Sequence, residues 1–349
     1  MPEVIFQDRR AVQIENDSLR LTVVVEGGHI AEILDKRAGV SPLWIPHWGS
    51  QEPSTFTLDS YDRFGSGADA KLLAGIMGHN LCLDIFGGPS AEEALAGLTV
   101  HGEASVDRYE IVEDRHALTQ RLTLRLAKLQ FARTIRLRES FVQIEESVEN
   151  LSSIDKPIGW TQHVTLGPPF LEPATTGFRA SMTRSLVSAS DPGSNAYLRL
   201  GAEFDWPIAP LATGGTADLR NMHATTPASG FTAHLADLRQ DKAFFLAHSP
   251  QFRLAFGYVW NRAEFPWLGI WEENRSRQQA PWNGQEVTRG MEFGVSPFPE
   301  TRQDMVERGP LFGTPTYKWI PARGRLQAEY WVVSQRSELP PDALLWPGS

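Results

Sequence analysis

Cysteine is almost missing from this 349-residue chain, which has one, Cys82. A disulfide within the chain and a cysteine-rich metal site are both excluded. In Asn80-Leu81-Cys82-Leu83-Asp84-Ile85-Phe86 the thiol reads as a small buried apolar residue rather than a nucleophile. Excess positive charge is missing too. Lys and Arg number 33 against 42 Asp and Glu, a formal net charge of -9. A general nucleic-acid binder needs a basic footprint to displace phosphate counterions, so the charge argues against that class and no nucleic-acid partner is expected. No apolar run approaches the roughly 20 residues of a membrane-spanning helix. The start, Met1-Pro2-Glu3-Val4-Ile5-Phe6-Gln7-Asp8, lacks the basic and apolar regions of a signal peptide. A soluble, cytoplasmic protein with no membrane partner is expected. No Gly-x-Ser-x-Gly elbow or dinucleotide fingerprint occurs. Gly65-Ser66-Gly67-Ala68-Asp69-Ala70-Lys71 is glycine-rich but lacks the strand–helix context of a phosphate loop.

Helical signals are few. The best is Pro89-Ser90-Ala91-Glu92-Glu93-Ala94-Leu95-Ala96-Gly97, with a Ser90/Glu93 capping box and a left-handed Gly97 after about two turns. Period-two segments dominate instead. Leu19-Arg20-Leu21-Thr22-Val23, the alternating run from Leu118 to Leu126, Phe131 to Arg138, and Phe141 to Val148 all read as antiparallel strands with one solvated or loosely covered face. Glu26-Gly27-Gly28-His29 reads as a hairpin turn. From Leu186 to Gly230 the chain is rich in Ser, Ala, Gly, Pro and Thr, and reads as rim loops or irregular strands. With no linker, repeat or low-complexity stretch, residues 1–349 form one expected domain: all-β, a large antiparallel β-sandwich with few short helices.

Tryptophan is plentiful, at 11 residues, and several fall in irregular stretches. Examples are Trp44-Ile45-Pro46-His47-Trp48, Phe265-Pro266-Trp267 and Ala280-Pro281-Trp282-Asn283-Gly284. Aromatics on loops suit the faces of sugar rings, or they plug the ends of a sandwich.

Three strand-like segments place an ionisable group opposite apolar residues. In Gly97-Leu98-Thr99-Val100-His101-Gly102-Glu103, the residues Thr99, His101 and Glu103 share a face. In Gly159-Trp160-Thr161-Gln162-His163-Val164-Thr165-Leu166, His163 lies on a small, polar face and Trp160 packs away from it. In Met291-Glu292-Phe293-Gly294-Val295-Ser296, Glu292, Gly294 and Ser296 oppose the apolar side. Two histidines and a carboxylate are an inventory for general acid–base chemistry without a cofactor. The same set matches zinc ligands, but no two histidines have the i, i+4 spacing of the common zinc motif, and no metal is expected. The bland alternative is that the histidines are buried and bonded to neighbours. Two further stretches offer ligand contacts: Gly78-His79-Asn80 with Asp84, and Trp271-Glu272-Glu273-Asn274-Arg275-Ser276-Arg277, where Glu273, Arg275 and Arg277 also read as a solvated loop.

These segments together resemble the aldose 1-epimerase (galactose mutarotase) family. His101-Gly102, then Trp160-Thr161-Gln162-His163, then Met291-Glu292-Phe293-Gly294-Val295-Ser296-Pro297-Phe298-Pro299 follow its order of His, His and Glu. Gly28-His29-Ile30-Ala31-Glu32-Ile33 through Pro42-Leu43-Trp44 looks like its N-terminal layer. The resemblance implies a galactose mutarotase-like supersandwich and anomer exchange of a monosaccharide or sugar derivative. It implies that Glu292 takes the anomeric hydroxyl proton, that His163 protonates the ring oxygen and that His101 binds the sugar nearby. His79, Asp84, Glu103, Trp160, Trp271 and Asn274 are the candidate substrate contacts. The family's asparagine–arginine pair ahead of the first histidine has no copy here, and for its sugar-binding aspartate only Asp237 and Asp241 are candidates. Two other functions stay open. One is a carbohydrate-binding protein without turnover. The other is a lyase or hydrolase of a glycosidic bond, which needs Glu292 within about 5–10 Å of a second carboxylate such as Glu103 or Asp84.

Overall fold

The computed structural model describes residues 3–114, 117–190 and 193–347. Strand makes up about 46% of the chain and helix about 9%, the all-β class expected from the period-two segments. A twelve-stranded and an eight-stranded antiparallel sheet are the two layers. The centre of the larger sheet runs, in spatial order, through His79–Asp84, Lys156–Leu166, Val287–Gly294, Trp267–Asn274 and Ala228–Ala236. The smaller sheet includes, in order, Lys242–Ser249, Leu254–Asn261, Arg325–Arg336, Phe141–Asn150, Leu129–Arg138 and Ala117–Leu124.

Alternation explains the smaller sheet. Along Ala117–Leu124, Leu118, Gln120, Leu122 and Leu124 are buried while Arg121 and Thr123 are exposed. That is the pattern of a sheet with one wet face. The central strands of the larger sheet differ, because His79–Asp84 is buried at every position. Loops cover their outer face. The smaller strand Leu19–Val24 is also covered on both sides apart from Arg20, where an open face was expected.

Between the layers lies an apolar core that includes Trp160, Val164, Tyr258, Trp260, Phe293 and Tyr330. Phe293 stacks on Trp260 with ring centroids 4.3 Å apart. Each such side chain stabilises the fold by about 1.5–3 kcal/mol through burial. One polar cluster interrupts this core. Arg133 and Glu146 form a buried ion pair at 2.7 Å. The same carboxylate accepts hydrogen bonds from Trp160 Nε1, Gln162 Nε2 and Tyr330 OH. A buried pair survives only when its remaining hydrogen-bonding capacity is met, as it is here.

The predicted small elements form. Ala91–Leu95 is a short helix with the Ser90/Glu93 capping box, and Gly97 takes a positive φ of 98°. Gly27 and Gly28, both at positive φ, turn the chain between Leu19–Val24 and Ile30–Asp35. The Leu186 to Gly230 region contains short strands, Glu203–Asp205, Ile208–Pro210 and Thr216–Asp218, around a small cluster of Val187, Leu198, Ala209 and Leu219. No helix among the described residues is long and apolar enough to cross a membrane.

Candidate functional site

Strand register builds the site. His163 is paired directly with Asn80 on one side and with Glu292 on the other. Glu292 is paired in turn with Gly269. These four residues form one row across four neighbouring strands, so their side chains share a face. The adjacent row is Thr165, Gly290, Trp271 and Phe231. Met291 and Phe293, out of phase with Glu292, enter the core between the sheets.

Small residues leave room for the carboxylate. A Cβ on Gly290 would sit 2.3 Å from Glu292 Oε1. One on Gly294 would meet Thr161 Oγ1 at 2.4 Å. Glycine at these two points keeps the floor low around Glu292.

His101 arrives differently from expected. The segment Gly97 to Glu103 is a loop, not a strand. His101 and Gly102 have φ of 68° and 80°, and a short 3-10 turn, Glu103–Ser105, follows. The left-handed region is costly for a β-carbon-bearing residue, about 1–2 kcal/mol. At Gly102 a Cβ would meet Leu83 O at 2.4 Å, so only glycine fits the turn. The turn brings the His101 ring to 4.9 Å from the His163 ring, centroid to centroid. His101 Nδ1 lies 2.8 Å from the Asn80 amide nitrogen. With that NH2 donating, the neutral ring carries its proton on Nε2.

His101, His163 and Glu292 line one open cleft, of about 170 Å³. His163 Nδ1 lies 3.0 Å from Thr165 Oγ1, and Nε2 lies 3.1 Å from Glu292 Oε1. The second contact is close but not an aligned hydrogen bond, and Oε1 has no other partner. Glu292 is 1% exposed. Burial pushes its carboxyl well above the usual carboxylate range. Burial likewise pushes His163 down to about 4 and His101 well below the ordinary histidine value, with the neighbouring His163 adding to the shift at His101. Burial thus pushes both groups of the pair toward their neutral forms, with the titrating proton on Glu292. Moving that proton from Glu292 to His163 creates an acid beside a base, 3.1 Å apart. Among the described residues no group of three or more His, Cys, Asp or Glu is arranged to hold a metal ion.

Of the six candidate substrate contacts, Trp271 lines the cleft. Its indole Nε1 is buried and unpartnered. The other five do not line it, and strand parity explains most of them. His79 alternates with Asn80 and faces the core, where Gln162 and Tyr258 bond its two ring nitrogens. Trp160 faces the core beside Phe265 and donates to Glu146. Asn274 is out of phase with Trp271 and donates to the carbonyls of His223 and Thr225. Asp84 shares the parity of Asn80 but ends the strand at φ 81°, ion-paired with Arg302 and Lys156. Glu103 accepts from the backbone amides of Leu126 and Ala127. The hydrolase pairing of Glu292 with Glu103 or Asp84 is therefore not assembled in the cleft. Asp237 is held by Arg239 in a local turn.

Other residues complete the cleft. Trp44 and Trp282, among the loop tryptophans, line it and stack with centroids 6.1 Å apart. Arg277 lines it as well, over the Trp282 ring at 4.5 Å and paired with Glu273, rather than lying on a solvated loop. Phe86 and Phe231 had no local signal, since apolar residues in strands and turns are common. Asn80, whose amide meets His101 Nδ1, does not line the cleft itself.

No protein-family profile and no curated protein matches the sequence. Solved structures do match the fold. A candidate aldose 1-epimerase from Klebsiella pneumoniae superposes with a TM-score of 0.68 at 15% identity, over 95% of this chain and 80% of that one. A galactose mutarotase-like protein from Clostridium acetobutylicum gives 0.63 at 14% identity, over 96% and 98%. A galactose mutarotase related enzyme from Lactobacillus acidophilus gives 0.57 at 13% identity, over 94% and 98%. The chain is similar to these proteins in fold, at 13–15% sequence identity. The architecture is the galactose mutarotase-like sandwich.

Proposed function

We propose that the protein is an aldose 1-epimerase-like enzyme that exchanges the anomers of a monosaccharide or sugar derivative. The observation that carries this reading is the His163–Glu292 pair, 3.1 Å apart on the floor of an aromatic cleft with His101 beside it. Anomer exchange needs a proton taken from O1 and one given to the ring oxygen. The ring opens, C1 rotates, and both transfers reverse on the other face. In the ionised form of the pair, Glu292 takes the O1 proton and His163 gives its proton to the ring oxygen. The open-chain sugar then faces the neutral pair, which is the form that burial favours. On closure His163 takes the proton back and Glu292 returns one to O1. Atoms and charge balance without a cofactor. His101 Nε2–H is the proposed hydrogen-bond donor to a neighbouring sugar oxygen. Trp271 offers an aromatic face in the same cleft. Positioned acid and base groups of this kind each contribute about 10²–10⁴-fold.

Likeness of fold at 13–15% identity supports a carbohydrate-binding ancestry, and the chemistry rests on the residues themselves. The test is anomer exchange followed by magnetisation-transfer NMR over a panel of aldoses. Acceleration of at least one sugar is expected. Sugar-dependent thermal stabilisation with no acceleration of any sugar would favour the second reading, a carbohydrate-binding protein without turnover.

A further inference from the structure

We infer that Asn80, which does not itself line the cleft, is the positioning residue that fixes His101 as a hydrogen-bond donor to the sugar. This rests on the reading of the cleft as an anomer-exchange site. The main chain of His101 is held from both sides. Its N–H donates to Gly87 O at 3.1 Å, and its carbonyl accepts from the Leu83 N–H at 3.3 Å. With the backbone fixed at φ 68°, the two side-chain torsions are what is left to set. The ring is flanked by His163 and Phe86, with centroids 4.9 and 6.3 Å away. Packing of this kind confines the ring without choosing which nitrogen carries the proton. Among the described residues one hydrogen bond reaches the ring, from Asn80.

Asn80 is fully buried and stands in the strand row of His163 and Glu292. Its Nδ2 lies 2.8 Å from His101 Nδ1, and its Oδ1 is buried without a partner. Turning the amide over would leave the NH2 as the unpartnered group, and buried N–H groups are orphaned less often than carbonyl oxygens. The NH2 can only donate, so Nδ1 accepts. Burial keeps the imidazole neutral, with one proton, and Asn80 therefore sends that proton to Nε2. Nε2 is the nitrogen left for the cleft, which His101 lines. Nε2–H donates to a sugar oxygen and cannot take a proton from O1. The other tautomer would present a bare Nε2, a second proton acceptor beside Glu292 and His163. The bond from His101 is made to the bound sugar before and during ring opening, so its loss raises KM more than it lowers kcat. One positioned hydrogen bond is worth about three- to tenfold.

Two measurements test this. Long-range ¹H–¹⁵N NMR of the wild type reads the protonated imidazole nitrogen without any turnover, with His101 assigned by the signals missing from His101→Ala. The expected result is a proton on Nε2 and a bare Nδ1. A proton on Nδ1 would overturn the inference. The second is a double-mutant cycle in KM for anomer exchange, with thermal unfolding recorded for each variant. Asn80→Ala and His101→Ala are each expected to raise KM by about three- to tenfold, and the double variant to be no worse than His101→Ala alone. An unchanged KM in Asn80→Ala would overturn the positioning role, and so would effects that multiply in the double variant, because Asn80 would then act without His101. A wild type that exchanges no aldose would overturn the exchange reading, while the NMR result still decides whether Asn80 fixes the tautomer.

Discussion

His163 and Glu292 face each other across adjacent antiparallel strands, with Nε2 and Oε1 3.1 Å apart, both buried and both held near neutrality by burial. Two buried groups this close titrate as a pair. The singly protonated pair is the working form in the proposed reaction. Below about pH 4, His163 also holds a proton and nothing is left to accept one. Above the raised Glu292 value the pair has no proton to give. The pH profile of kcat/KM is therefore expected to be bell-shaped, with its acid limb near 4 rather than near the ordinary histidine value of about 6.5. An acid limb centred near 6.5 would show that His163 is not held neutral by burial.

Gly290→Ala places a methyl 2.3 Å from Glu292 Oε1. The atom it meets is the far end of a side chain, so Glu292 is expected to swing aside at little cost to the fold. Activity should drop by about 10²-fold or more, because misplacement of a proton-transfer group by about 1 Å costs that much. Thermal unfolding should change little. Full activity in this variant would mean that the carboxylate need not occupy its observed position.

Gly102→Ala acts on His101. It puts a side chain at φ 80° against Leu83 O. A stability loss of ~2–4 kcal/mol in urea unfolding is expected from the left-handed backbone and the contact together. A change within about 0.5 kcal/mol would show that the turn relaxes freely.

Five buried histidines make the fold acid-sensitive. Burial lowers His29 and His234 to about 3, His163 to about 4, and His79 and His101 well below their ordinary value. Their folded-state values lie below the unfolded value of about 6.5. Their contribution to stability is thus full above about 6.5 and is lost as pH falls through the folded values. Each contributes a slope of up to about 1.4 kcal/mol per pH unit within that window. Glu292 has the opposite sign. Its folded value is raised, so its contribution is full below the ordinary carboxylate value and is lost as pH rises through the folded one. Burial raises Asp107, Glu264 and Glu273 as well, so five histidines stand against four carboxyls that offset them in part. Urea midpoints measured from pH 7 to 4 should fall below 6.5, and a profile that rises down to pH 5 would contradict this.

Much of the site was legible in the sequence wherever strand parity carried it. Glu292 and His163 lie on the faces that period-two alternation assigns, and Met291, Phe293, Trp160 and Val164 pack opposite them. Parity also tells His79, bonded in the core to Gln162 and Tyr258, from Asn80, which meets His101. His101 reaches the cleft from a loop rather than a strand, since two consecutive positive φ angles break the period-two pattern. Asp84 and Glu103 were misread because their partners, Arg302 and the amides of Leu126 and Ala127, lie far along the chain or in another sheet. The aromatic walls came from loops, whose meeting points no local pattern encodes. The sandwich itself was legible because strand periodicity is local and repeated many times.

The central claim is that Glu292 is the base. The most direct measurement is anomer exchange by NMR for Glu292→Gln beside the wild type, on the aldose that the wild type turns over fastest, with thermal unfolding recorded for both. A loss of about 10²-fold or more with an unchanged or higher unfolding temperature is the expected result. Exchange at the wild-type rate in a folded Glu292→Gln protein would contradict the account.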